Sequence, residues 1–146
     1  ALKYANAEGD FLKLIGDLEN AKRDPNAVSK TGAVGLYQIE PDTARQYGRD
    51  PSKLTEPIYN QQTAQLILRK LVAKYHGDID KVLLAYHSGE GAVDNPARFP
   101  TGPEGRGYLS RAHANPGYQK VVIEIHDATG GNPIVAGAQV GLGGAP

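Results

Sequence analysis

The sequence has no cysteine, no methionine and no tryptophan among its 146 residues. The absence of cysteine excludes a disulfide scaffold, a thiol nucleophile and a cysteine-ligated metal site. Lys and Arg balance Asp and Glu at 16 each, so the formal net charge is zero. A dedicated nucleic-acid-binding protein normally has an excess of basic residues. The composition therefore argues against nucleic acid as a partner.

Long hydrophobic runs are also missing. No stretch approaches the ~20 apolar residues that a membrane-spanning helix needs, and the first ten residues lack the apolar centre of a signal peptide. We therefore expect no membrane span. Because the chain starts at Ala1 without methionine, we expect it to be part of a larger polypeptide.

Apolar residues recur at helical spacing along most of the chain, which predicts an all-α fold. Asp78 is a favoured helix N-cap, and Pro41 suits a first helical position. The β-branched run at 121–123 would also suit a strand. The predicted helices cover residues 9–20, 42–47, 60–75, 80–87, 104–112 and 116–126.

Several common sites are absent from the sequence. The histidines show no HExxH or other compact metal-ligand spacing, and neither a GxSxG nor a GxxxxGK motif occurs. These absences argue against a zinc site, a common serine hydrolase and a nucleotide-binding loop. The four histidines are His76, His87, His113 and His126.

Glu19 stands out because of its position on the first predicted helix. It lies only about 70° from the centre of the apolar face, whereas Asn20 lies about 170° away and is expected to face water. A carboxylate at the inner edge of an apolar face loses solvation and can hold a proton, which a general acid requires. The alternative is a solvated carboxylate at a helix end.

Four segments together resemble lytic transglycosylases. Residues 24–44 are similar to that family's "NPNAVSxxGAxGLMQIMPxTA", and residues 60–71 to its "NIxxGxxYLxxL". Residues 85–93 resemble "AYNAGPGAV", and residues 104–109 resemble "ETRxYV". The blocks occur in the family's order and at its separations.

The resemblance implies a lysozyme-like helical fold with a groove for peptidoglycan glycan strands. Such enzymes cleave the β-1,4 bond between N-acetylmuramic acid and N-acetylglucosamine with one catalytic Glu. The Glu first protonates the leaving oxygen and then takes a proton from the muramic C6 hydroxyl, which closes on C1 as a 1,6-anhydro end. The second carboxylate of ordinary glycosidases is not required. The resemblance implies no metal and no cofactor.

The catalytic residue implied by the resemblance is Glu19, but its spacing departs from the family. The family's Glu lies five residues before the proline of "NP", where this chain has Asn20. Either the loop at 20–23 has gained one residue, or Asn20 replaces the Glu and the domain is inactive. The helix phase favours Glu19, because apolar residues precede it by four, seven and eight positions, as in the family.

Six further positions are implied to bind substrate, and three of them depart from the pattern. Tyr37 and Glu40 stand where the family has methionine, and His87 stands where it has Asn. An imidazole at this position titrates near neutral pH and would make glycan binding depend on pH. Each could instead have a structural or solvated role. The predicted substrate-binding residues are Gln38, Tyr37, Tyr86, His87, Tyr108 and Glu40.

The predicted domain covers residues 1–127, with its motifs at 9–112 and a supporting helix at 116–126. Residues 128–146 are predicted to be a Gly-rich tail or linker, since nothing after Asp127 is charged. We expect action in the periplasm or cell wall, as a virion-associated or exported part of a larger protein. The alternatives are a muramidase that uses water with Glu40 or Asp42 as second carboxylate, and an inactive glycan-binding module.

Overall fold

The computed structural model describes residues 2–129. These residues form seven α-helices and one short 3₁₀ helix, and their only β pairing is two isolated bridges, which confirms the all-α prediction. In chain order, the helices are α1 Leu2–Glu19, α2 Pro41–Gln46, the 3₁₀ helix Pro51–Lys53, α3 Pro57–Lys74, α4 Ile79–Ser88, α5 Gly91–Asp94, α6 Pro103–Ala114 and α7 Tyr118–Ala128.

Helix α1 begins well before its predicted start. Tyr4, Ala7 and Phe11 are buried, and they extend the apolar stripe by two turns at spacings of three and four residues. The start at residue 9 was therefore wrong, because the polar residues between these positions obscured the stripe. The helix ends at Glu19, one residue before the predicted end at Asn20.

Local signals at the other helix ends behave largely as expected. The Asp78 side chain accepts a hydrogen bond from the Lys81 amide and caps α4, and Pro41 is the first residue of α2. The N-cap of α7 is Gly117, and the side chain of Asn115 instead accepts from the Gly117 amide. Residues 121–123 are helical, so the strand alternative is wrong.

The chain divides into two compact units. The continuous unit is Ile15–Ile67, and the split unit comprises, within the described residues, 2–14 and 68–129. Helices α1 and α3 contribute residues to both units. The buried core of the continuous unit includes Ile15, Tyr37, Ile39, Ala44, Leu54, Ala64 and Ile67. That of the split unit includes Phe11, Leu68, Leu71, Val72, Val82, Leu83, Tyr108, Val121 and Ile125.

The chain after α7 was predicted to be a Gly-rich tail or linker over 128–146. Residues 130–146 of that segment lie outside the described residues, so the domain boundary stays a prediction. Among the helices of residues 2–129, none is long and apolar enough to cross a membrane.

Candidate functional site

Glu19 is the last residue of α1 and belongs to the continuous unit. Its side chain is half-buried, and its Oε2 atom is shielded from solvent. The predicted placement at the inner edge of the helix therefore agrees with the burial of this carboxylate. A partly enclosed carboxylate at a fixed helix end has the geometry that a general acid or base needs.

Asn20 does not face water, and that expectation was wrong. Its side chain is only 8% exposed. The Nδ2 atom donates to the carbonyls of Asp24 at 2.7 Å and Gly35 at 3.1 Å, while Oδ1 accepts from the Asp24 amide at 3.2 Å. The prediction failed because Asn20 lies one residue beyond the helix, where helical phase no longer applies. The side-chain amide of Asn20 therefore stabilises the loop that follows Glu19.

The Gly-rich segment after this loop is held by Asn60, a fully buried residue of α3. Its Nδ2 donates to the carbonyls of Val34 and Leu54, both at 2.8 Å, and its Oδ1 accepts from the Tyr37 amide at 2.9 Å. Gly35 has φ +84, and a Cβ there would overlap Asn60 and lie 2.5 Å from the Leu54 carbonyl oxygen. This close approach requires glycine.

Gln38 and Tyr37, two predicted substrate-binding residues, lie in this same segment. Gln38 has φ +49, and its Nε2 donates to the carbonyls of Ala27 and Gly35. Tyr37 is buried, which raises the pKa of its phenol; nearby Arg23 opposes this shift. The side-chain amide of Gln38 therefore has a loop-closing role in the structure.

Glu40, the remaining predicted site residue of the continuous unit, is exposed. It occupies the N-cap position of α2, but its side chain makes no capping hydrogen bond there. Asp42, a candidate second carboxylate, has a side chain that is 89% exposed and pairs with Arg45. Both carboxylates are thus solvated, unlike Glu19.

The split unit contains the other three predicted residues. Tyr108 on α6 is fully buried, and its ring stacks on the His87 imidazole with centroids 4.1 Å apart and planes 14° apart. His87 Nε2 lies 3.4 Å from a carboxylate oxygen of Glu104. Tyr86, the neighbour of His87 on α4, is half-buried. The structure therefore brings His87 and Tyr108 into direct contact.

Near this stack, Gly105 of α6 lies close to the Thr101 side chain. A Cβ on Gly105 would lie 2.9 Å from Thr101 Cγ2 and 3.4 Å from Leu84 Cδ1. Glu104 and Arg106, which lie in the motif at residues 104–109, have different partners. Glu104 lies beside His87, and Arg106 donates to the Thr101 carbonyl at 2.8 Å.

The segment after α4 is fastened by charged side chains. Glu90 pairs with Lys70 at 3.1 Å and also contacts Lys74, which reaches Asp94 at 2.6 Å. The Tyr75 hydroxyl donates to Asp94 at 2.9 Å. These contacts tie α5 to α3. The hydrogen bond from Lys74, together with Lys70, holds the pKa of Glu90 below its usual range.

Two contributors to the site were missed from the sequence. Asn60 lies in a motif that carries the resemblance, yet its role as a loop anchor became clear only from its three hydrogen bonds. Arg23 was treated only as part of a turn, but its guanidinium pairs with Asp17 on α1. Within residues 2–129, no group of three His, Asp or Glu side chains is placed to hold a metal ion.

Residues 10–104 match the family described as "Transglycosylase SLT domain". Peptidoglycan transglycosylase gp16 of Escherichia phage T7 is 35% identical over 103 residues, which is 64% of this chain and 8% of that protein. Membrane-bound lytic murein transglycosylase D of Escherichia coli strain K12 is 34% identical over 56% of this chain and 19% of its own length. A transglycosylase of Enterobacteria phage PRD1 is 32% identical over 55% of this chain and 29% of its own.

A solved structure, an inactive mutant of lytic transglycosylase Slt from Pseudomonas aeruginosa, superposes with a TM-score of 0.54 at 19% identity. The match covers 95% of this chain and 23% of that one. The shared fold confirms the lysozyme-like architecture that the sequence motifs implied. The chain spans less than a third of the length of each of these matched proteins.

Proposed function

Because the chain belongs to the transglycosylase SLT domain family, we propose that it cleaves the β-1,4 bond between N-acetylmuramic acid and N-acetylglucosamine in peptidoglycan. The prediction of an enzyme of the lytic transglycosylase type is confirmed at the level of the family. The substrate follows from the motifs together with the names of the relatives, two of which specify peptidoglycan or murein.

In this proposal Glu19 is the only catalytic carboxylate. As general acid it protonates the glycosidic oxygen, and the bond from that oxygen to the muramic C1 breaks. As general base it then takes the proton of the muramic C6 hydroxyl, whose oxygen bonds to C1. The products are a glycan end with a free hydroxyl and a 1,6-anhydro end, Glu19 regains its proton, and no water is consumed.

The observation that carries this assignment is the contrast between Glu19 and its neighbours. Glu19 ends α1 with one carboxylate oxygen shielded from solvent. The Asn20 amide is engaged with the backbone of Asp24 and Gly35, which accounts for Asn20 as a structural residue. The exposed positions of Glu40 and Asp42 give no support to a second catalytic carboxylate.

The remaining predicted residues are proposed to bind the glycan. These residues are Tyr37, Gln38, Tyr86, His87 and Tyr108. Tyr108 is fully buried, so its contribution would be indirect, through the His87 ring on which it stacks. The loop around Gln38 is closed by its own hydrogen bonds, which fixes its shape. Glu40, exposed at the start of α2, is proposed to contact substrate at the margin of the site.

The proposed site of action is the bacterial cell wall, as a virion-associated or exported part of a larger protein. Two of the matched relatives are phage proteins, and the aligned region is a small fraction of each relative.

Mass spectrometry of the products tests the reaction. Purified sacculi incubated with the protein should release muropeptides with 1,6-anhydro ends, each lighter by one water than the corresponding reducing product. Products with reducing ends would instead identify a muramidase. A protein that binds sacculi and releases nothing would be a glycan-binding module.

A further inference from the structure

Gly16 lies in the last turn of α1, three residues before the helix ends at Glu19. The reason for this glycine is visible in the structure. A Cβ at Gly16 would overlap Nη1 of Arg23 and lie 3.0 Å from its Cζ and 3.3 Å from Tyr37 Cε1. The missing side chain therefore leaves a notch in the helix that holds the Arg23 guanidinium beside the Tyr37 ring.

The backbone of Arg23 is also arranged for this placement. Its φ of +54 lies in the left-handed region, which residues other than glycine rarely adopt and which costs about 1–3 kcal/mol. The turn places the guanidinium back on α1, where Nη2 pairs with Asp17. Since both side chains are about one-third exposed, the ion pair alone contributes little. The missing side chain at Gly16 and the left-handed turn at Arg23 together determine where the guanidinium lies.

That cation lies close to the proposed catalytic residue. Gly16 and Glu19 are three residues apart on one helix, so their positions are neighbours on its surface, about 5–6 Å apart. The guanidinium in the Gly16 notch is therefore about one helical turn from Glu19. Tyr37, whose ring also borders this notch, is itself a proposed substrate-binding residue.

The substrate has a group that such a cation can recognise. The glycan backbone is uncharged, but each muramic residue bears at C3 a lactyl group with a peptide stem, and the stem has free carboxylates. A planar guanidinium binds carboxylates through parallel hydrogen bonds. Resting on the function proposed above, we propose that Arg23 is a specificity-determining residue that binds a peptide-stem carboxylate, and that Asp17 pre-orients it.

The test compares two substrates that differ only in the stems. Uncrosslinked glycan strands are used intact, and again after an amidase has removed the peptides and the lactyl carboxylates that this exposes have been capped as neutral methylamides. Arg23→Gln should lower kcat/KM about tenfold on intact strands and change it by less than about twofold on stripped strands. Arg23→Lys should recover part of the loss, because an ammonium keeps the charge without the planar fork.

Two further variants sharpen the test. Gly16→Ala should reproduce the stem-dependent loss, because its Cβ displaces the guanidinium while the net charge is unchanged. Arg45→Gln is the matched control, since Arg45 also pairs with an aspartate in the continuous unit but does so on the exposed surface of α2. It should show no difference between the two substrates. Thermal unfolding shows whether each variant is folded. If Gly16→Ala is not folded, the test depends on Arg23→Gln.

Binding is measured separately in a Glu19→Gln background, with fluorescently tagged strands and anisotropy. Arg23→Gln should weaken binding of stem-bearing strands only. Equal effects on the two kinds of strand, or none on either, would overturn the role of Arg23. The protein that retains Glu19 could cleave neither kind of strand and still show stem-dependent binding. In that case the proposed reaction is wrong, while the binding of a stem carboxylate by Arg23 is supported.

Discussion

The two units stabilise their loops with different kinds of interaction. In the continuous unit, the segment after Glu19 is fastened by neutral amide side chains that bond to the backbone: Asn20, Gln38 and Asn60. In the split unit, α5 is fastened to α3 by partly exposed ion pairs between lysines and the carboxylates Glu90 and Asp94.

This difference predicts how each region responds to its surroundings. Neutral hydrogen bonds do not titrate, and salt does not screen them, whereas an exposed ion pair weakens with both salt and acid. The loop beside the candidate catalytic carboxylate should therefore keep its shape over a wide range of conditions. The α5 segment of the split unit should not.

The largest expected effect comes from the tightest point of the continuous unit. Gly35→Ala should destabilise the protein by about 2–4 kcal/mol, because the new Cβ meets the Leu54 carbonyl and Asn60 in addition to backbone strain at positive φ. Gly32→Ala is the matched control, with φ +92 and no atom within 4 Å of the added Cβ. It should cost about 1 kcal/mol.

Urea unfolding of the two glycine variants gives these values. The difference between them isolates the close approach from the strain that both share. Similar costs for Gly35→Ala and Gly32→Ala would mean that the Asn60 anchor does not constrain the segment. The description of the continuous unit would then be wrong.

A smaller effect is expected in the split unit. Glu90→Gln should destabilise the protein by about 1 kcal/mol or less at low salt, and the difference from wild type should disappear in about 1 M NaCl. It should also disappear in acid. The pKa of Glu90 is lowered in the folded state, so its contribution is present above the usual carboxyl value near 4.3 and is lost as the pH falls through the lowered value.

Thermal unfolding at several salt concentrations and pH values checks this behaviour. Gly35→Ala serves as the internal contrast, since its cost should be independent of salt. If the loss in Glu90→Gln persists at high salt, the contact between α5 and α3 depends on packing, and the two units do not differ as described.

Most helices could be predicted from the sequence, because apolar spacing and capping residues are local signals. The end of α1, predicted to within one residue, and the Asp78 cap are examples. The short α5 was missed because two glycines around Glu90 indicated only a loop. The early start of α1 was missed because its stripe, from Tyr4 to Phe11, is interrupted by polar residues.

The candidate site was only partly accessible to the same reasoning. Helix phase placed Glu19 at a half-buried position, but it failed for Asn20, where the chain leaves the helix. The Arg23 notch could not be predicted, because it joins a helix glycine to a side chain seven residues later through a left-handed turn. Such contacts depend on the path of the backbone and have no periodic signature.

The central claim is that the Glu19 carboxylate performs the chemistry, and its replacement tests this most directly. Glu19→Gln keeps the size of the side chain but cannot donate or accept the catalytic proton, so the rate of glycan cleavage should fall by at least about a thousandfold. Glu56→Gln, at an exposed position in the continuous unit, is the matched control and should retain full activity. Circular dichroism should show both variants folded. A folded Glu19→Gln protein that cleaves sacculi within about tenfold of the wild-type rate would contradict the account.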